Sequence, residues 1–115
     1  MPLFDTTIND RGPFTVIALH GELDLTGTDT ALRACRRALT ERSPHLILDL
    51  SNLTFMDSSG LNVLITARTA VQNRKGTIAL AAPTRPVERV LSTTGFTQVF
   101  ALYPTVEAAA ITGAA

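Results

Sequence analysis

The chain has 115 residues, 45% hydrophobic and 17% charged, enough for one core and too few for two independently folded units. Ten Lys and Arg offset ten Asp and Glu, so it lacks the basic excess with which proteins grip DNA, RNA or an anionic membrane. Cys35 is the only cysteine, which excludes an intrachain disulfide or a cysteine metal cluster and fits a reducing cytoplasm.

No apolar stretch approaches the ~20 residues that span a bilayer. The start Met1-Pro2-Leu3-Phe4-Asp5 has neither the basic residues nor the apolar body of a signal peptide. A cytoplasmic protein of one domain, 1–115, is expected.

Leu3 to Ile8 and Phe14 to His20 are β-prone, and Asn9-Asp10-Arg11-Gly12-Pro13 between them has the residue types of a turn, which together predict a hairpin. From Ala31 to Leu39, Leu32, Cys35 and Leu39 fall at helical spacing with Arg33, Arg36 and Arg37 between them as a solvated face. Thr26 or Thr28 would cap that helix and Ser43-Pro44 would end it. Leu46 to Leu50 has little polar face, as in a central strand covered on both sides.

After Leu53 to Met56, the stretch Asp57-Ser58-Ser59-Gly60-Leu61 marks a switch to helical periodicity through Leu64, Ile65 and Val71. Asn73-Arg74-Lys75-Gly76 would close this helix with cations and a permissive glycine. Thr77 to Ala81 reads as a buried strand. Pro86 fits a helical first turn, Val87, Val90 and Leu91 give an apolar face, and Gly95 stops the run. Gln98 to Leu102 is expected as an edge strand and Thr105 to Ile111 as a short helix. The predicted order is ββαβαβαβα, an α/β fold with a mixed sheet of four to five strands and flanking helices.

A helix starting near Ser58 places a hydroxyl where the first backbone N–H groups lack intrahelical partners and the dipole favours negative charge. Such a serine can carry a phosphate at little cost to its own fold. The plain structural reading is a helix cap, whose loss costs ~1 kcal/mol.

Phe55-Met56-Asp57-Ser58-Ser59-Gly60-Leu61, with its apolar approach and following helix, resembles the signature of the STAS domain, named for sulfate transporters and anti-sigma factor antagonists. Gly21-Glu22-Leu23-Asp24 looks like the family's loop after its second strand. Leu91-Ser92-Thr93-Thr94-Gly95-Phe96 with Phe100 looks like the end of its third helix and its last strand. With no membrane segment in the sequence, the chain is similar to the free-standing anti-sigma factor antagonists. Asn62 departs from the family, where many members carry a small residue.

The resemblance implies a module that binds a serine-kinase anti-sigma factor and so frees a sigma factor. Phosphorylation of Ser58 would dissociate the pair and a serine phosphatase would reverse it. Asp24, Asp57, Ser59, Gly60 and Leu61 would meet the partner, and Ser59 is the second candidate acceptor. Any nucleotide or Mg²⁺ would belong to the kinase, so no cofactor and no metal are expected, nor any direct contact with nucleic acid or membrane. A weak homodimer stays open.

Two other readings compete: a STAS module that scaffolds a signalling assembly or binds a small ligand without phosphorylation, and a small serine hydrolase. A triad of Ser58, His20 or His45, and Asp24 or Asp49 can be written down, but the serine turn lacks the Gly-x-Ser-x-Gly pattern. Neither histidine makes a metal spacing, and both read as structural. High Arg and Ala with one Lys hint at a GC-rich bacterial source.

Overall fold

In the computed structural model, which describes residues 4–114, the elements alternate as the periodicity predicts. Strand β1 (Phe4–Arg11) turns through Gly12, whose φ of 57° is left-handed, into the antiparallel strand β2 (Phe14–Leu23). Leu3, expected to open β1, lies outside the described residues. A 3₁₀ turn (Leu25–Gly27) leads to helix α1 (Thr28–Glu41), then β3 (His45–Met56), α2 (Ser58–Asn73), β4 (Thr77–Ala81), α3 (Arg85–Thr93), a second 3₁₀ turn (Phe96–Gln98), β5 (Ala101–Tyr103) and α4 (Val106–Ala114).

The five strands lie in the order β1-β2-β3-β4-β5, with β2 to β5 parallel. Three successive crossovers in one direction, each right-handed, must put α1, α2 and α3 on the same face. The core confirms it, because Ile17, Leu19, Leu46, Leu48, Leu50 and Leu80 pack there with Leu39, Leu64, Val87 and Leu91. On the opposite face Phe14, Val16, Ile47 and Ala81 pack with Ala109 of α4. Leu46 to Leu50 is therefore buried from both sides of the central strand, as its lack of a polar face required.

Four local expectations are corrected. Neither Thr26 nor Thr28 caps α1, whose cap position is Gly27 with no side-chain bond. The hydroxyls of Thr26 and Thr28 instead donate to Asp24 and to the Leu25 carbonyl. At the end of α2, Arg74 and Lys75 fall beyond the last turn, and Lys75, not Gly76, takes the left-handed backbone at φ 56°.

The third correction concerns β5, expected over Gln98 to Leu102 and found at Ala101–Tyr103. Gly95 at φ 81° turns the chain into a 3₁₀ turn, held by Phe96 stacked on Phe100 at 5.9 Å. Fourth, the strand expected over Leu46 to Leu50 runs unbroken on to Met56, with Asp49 a mid-strand carboxylate accepting from the Ser51 N–H at 3.0 Å. The arginines of α1 form the expected solvated face, with Arg33 paired to Asp29 and Arg37 to Glu41 one turn away.

Candidate functional site

Two parallel strands deliver the site. Leu23 at the end of β2 and Met56 at the end of β3 are register partners, so the residues that follow them, Asp24 and Asp57, open neighbouring loops. The Asp57 N–H donates to the Leu23 carbonyl at 3.4 Å and ties the loops together. Irregular register between β2 and β3 at Gly21/Glu22 is the kind of local kink that re-aims residues beside a site.

Each aspartate caps its own turn. The Asp57 carboxylate accepts the Ser59 N–H at 2.9 Å and fills an orphan donor of α2. The Asp24 carboxylate accepts the Thr26 N–H at 2.9 Å and the Thr26 hydroxyl at 2.6 Å. Those two bonds from Thr26 hold the Asp24 carboxyl below the usual carboxylate range. Its depressed folded-state value means that the capping contribution is present above the ordinary carboxylate pKa and lost as pH falls through the lowered one. The loop is thus anionic throughout the neutral range.

Ser58 is the first residue of α2 and is exposed. It is not the cap: Asp57, in extended backbone at φ −113°, has the geometry to turn its side chain back onto the helix. Removing the cap by Asp57→Ala is expected to cost about 1 kcal/mol. A thermal melt checks this, and Ser58→Ala in the same experiment should leave stability nearly unchanged.

Of the other residues expected at this site, Asp24, Asp57 and Ser59 are partly exposed, whereas Leu61 packs partly against the core and Gly60 is buried. A Cβ on Gly60 would collide with the Met56 side chain and come to 3.1 Å from the Leu23 carbonyl oxygen. Gly60 therefore lets the first turn of α2 sit down on the ends of β2 and β3, and so sets how far Ser58 projects.

The sequence reading missed an apolar neighbour of this turn. Leu25, 75% exposed, stands at the rim of a shallow groove of about 220 Å³ between α1 and α2, lined also by Leu32, Ser59, Asn62 and Val63. Phe55, just before the turn, is 44% exposed. The available signal was a leucine between Asp24 and Thr26, where turn chemistry alone favours polar residues.

The histidines lie elsewhere. His45 opens β3 at the end remote from Ser58 and hydrogen-bonds the Thr77 hydroxyl at 3.0 Å, while His20 Nε2 lies 3.4 Å from the Thr7 hydroxyl. Among the described residues no group of three His, Cys, Asp or Glu is placed to hold a metal, and no helix is long and apolar enough to cross a membrane. Cys35 is buried, and burial pushes its thiol up to about 11.

Comparison with known proteins sets this geometry in context. The STAS domain profile matches residues 5–109. The anti-sigma F factor antagonist of Paenibacillus polymyxa is 33% identical over 89 residues, 76% of this chain and 76% of that protein. The structure of an anti-sigma factor antagonist from Mycobacterium paratuberculosis superposes with a TM-score of 0.85 at 26% identity, covering 95% of this chain and 92% of the other. The unphosphorylated anti-sigma factor antagonist SpoIIAA, a Bacillus cell fate determinant, gives 0.75 at 25% identity over 92% and 91% of the two chains. Its phosphorylated form has the same fold, at a TM-score of 0.68 and 24% identity over 92% and 95%.

Proposed function

The chain belongs to the STAS domain family, and from that premise we propose that it is an anti-sigma factor antagonist whose hold on a serine-kinase anti-sigma factor is released by phosphorylation of Ser58. The observation that carries this reading is an exposed hydroxyl at the first position of α2, next to Asp57 and on a loop tied to that of Asp24, both carboxylates already engaged as caps. A phosphoserine adds about −1.5 to −2 charges. At a helix N-terminus that charge is favoured by ~0.3–1 kcal/mol, so the domain keeps its fold.

Against a docked protein the same charge acts in the opposite sense. It must be desolvated, and it joins Asp57 and the adjoining Asp24 loop in one anionic surface, so repulsion accumulates where the interface needs neutral contact. Each ~1.4 kcal/mol lost is a tenfold loss of affinity. Phosphorylation thus switches the partner rather than the fold, and a serine phosphatase restores the binding form.

In this reading the groove beside Leu25 supplies apolar contact, Asp24, Asp57 and Ser59 its polar edge, and Gly60 and Leu61 the support beneath. The domain works in the cytoplasm as a binding module, with nucleotide and Mg²⁺ on the kinase side and no contact with nucleic acid. Leu25→Asp is expected to weaken partner binding about tenfold or more, the scale of a lost apolar anchor, with no change in melting temperature because Leu25 is exposed. The test of the whole reading is a pull-down for a kinase-type anti-sigma factor combined with phosphopeptide mass spectrometry. Recovery of such a kinase and phosphate on Ser58 support it; a chain without phosphate on Ser58 in cells points instead to a scaffold that does not switch.

A further inference from the structure

Among the described residues, strand β1 pairs with β2 alone and leaves its other edge free. Its register runs from Phe4 opposite Gly21 to Arg11 opposite Phe14 without a bulge. The two-residue turn Gly12-Pro13 makes Arg11 and Phe14 the closing hydrogen-bonded pair. Counting back by twos, Asp5, Thr7, Asn9 and Arg11 bond to β2, while Thr6, Ile8 and Asp10 turn their amides and carbonyls outward. The Thr6 N–H agrees with this phase, because it donates to its own neighbour Asp5 at 2.8 Å.

Side chains alternate in the same rhythm. Thr6 and Ile8 face α1, where with Arg33, Arg37 and Arg42 they line a cavity of about 350 Å³. Asp5, Thr7, Asn9 and Arg11 point to the other face and are exposed.

We propose that this edge docks a second copy of the chain, the two β1 strands pairing antiparallel about a two-fold axis at Ile8. Outward-facing groups must oppose outward-facing groups, which leaves axes at Thr7, Ile8 or Asn9 for extensive overlap. An axis at Thr7 sets Asp5 against Asn9 and Phe4 against Asp10. An axis at Asn9 sets Arg11 against Thr7 and Asp10 against Ile8. The axis at Ile8 alone sets Asp5 against Arg11, and symmetry makes that ion pair twice.

Both pairs fall at non-hydrogen-bonded positions, where facing side chains come closest and opposite charges contribute most directly. On the other face, Asp10 of the second copy arrives beside Thr6 at the arginine-lined cavity, and Ile8 meets Ile8. Arg11 also holds Glu107 at 3.2 Å, and its fork of donors can serve both carboxylates. In the single chain the Asp5 carboxylate covers the Thr6 N–H and guards the edge against indiscriminate pairing. It leaves that N–H only for Arg11 of a matched copy, so association is weak and reversible. The edge lies two strands from α2, and both Ser58 hydroxyls stay open in the pair; this proposal is independent of the switch.

Sedimentation equilibrium of the whole chain, run from micromolar to millimolar concentration, tests it together with amide hydrogen exchange. A reversible dimer is expected, with exchange at Ile8 slowing as concentration rises. Asp5→Arg and Arg11→Asp should each weaken association about tenfold by setting like charges face to face. The double variant Asp5→Arg/Arg11→Asp should restore it, with melting temperatures reporting that all three remain folded. A monomer at millimolar concentration overturns the proposal. So does a dimer indifferent to these charges, or one in which Ile8 exchange ignores concentration.

Discussion

Ser58→Asp is expected to lose most of its affinity for the anti-sigma factor while keeping its melting temperature, and Ser58→Ala to stay bound even when ATP is present. The two halves of this expectation have separate causes. Ser58 is exposed and does not cap α2, a task that falls to Asp57. Neither substitution therefore removes a bond that the fold uses, and a carboxylate at the first helical position gains ~0.3–1 kcal/mol from the dipole.

Loss of binding arises outside the fold. A third carboxylate beside Asp24 and Asp57 enlarges an anionic cluster that a partner must desolvate, and two lost decades of affinity correspond to about 2.8 kcal/mol. Binding titrations alongside thermal melts separate the effects. A Ser58→Asp protein that bound at wild-type strength would count against the switch.

The largest loss of stability is expected from Gly76→Ala, about 3 kcal/mol or roughly 10 °C of melting temperature. Gly76 begins the return from α2 into β4, against the residue before β3. A Cβ there would run into the Pro44 carbonyl oxygen and lie 2.8 Å from the Pro44 carbonyl carbon. The obstacle is main chain, held by the Thr77 N–H donating to that same oxygen at 3.3 Å, so it cannot swing aside as a side chain would.

Gly95→Ala is the control. Gly95 adopts φ 81° with open space around its missing Cβ, and alanine there pays only the left-handed penalty of ~1–2 kcal/mol. If the two variants melted together, close approach at Pro44 would not be the reason for Gly76. Partner affinity of folded Gly76→Ala should be unaltered, because the site lies at the other end of β3.

This contrast shows how far the sequence could be read. Gly76 and Gly95 both look like helix stops, each following a run at helical spacing, and only Gly95 is one. At Gly76 the left-handed position belongs to Lys75, and what demands glycine is Pro44, 32 positions earlier in the chain. Close approach of distant segments leaves no local pattern. The same limit applies to the caps: Asp57 and Ser58 are both favoured cap types, and the choice is made by the backbone angles at which β3 ends.

Periodicity, by contrast, was legible wherever burial is one-sided or complete. Leu46 to Leu50 announced a central strand, and Val87, Val90 and Leu91 after Pro86 announced α3. The position of Ser58 at a strand-to-helix switch was visible for the same reason. Its neighbour Asp24, 34 residues earlier, joined the site only through the Leu23–Met56 register, and Leu25 gave a single unexplained leucine.

The phosphate itself provides the most direct test. The chain phosphorylated on Ser58 by the proposed kinase partner with ATP, verified by mass spectrometry, should be titrated against that partner beside the unmodified chain, with a thermal melt of each. The expected result is binding weaker by two or more decades and melting temperatures within a few degrees of each other, consistent with ~1 kcal/mol or less at the helix mouth. Equal affinity of the two forms, or a phosphorylated chain that no longer folds, would contradict a switch that acts on the partner alone.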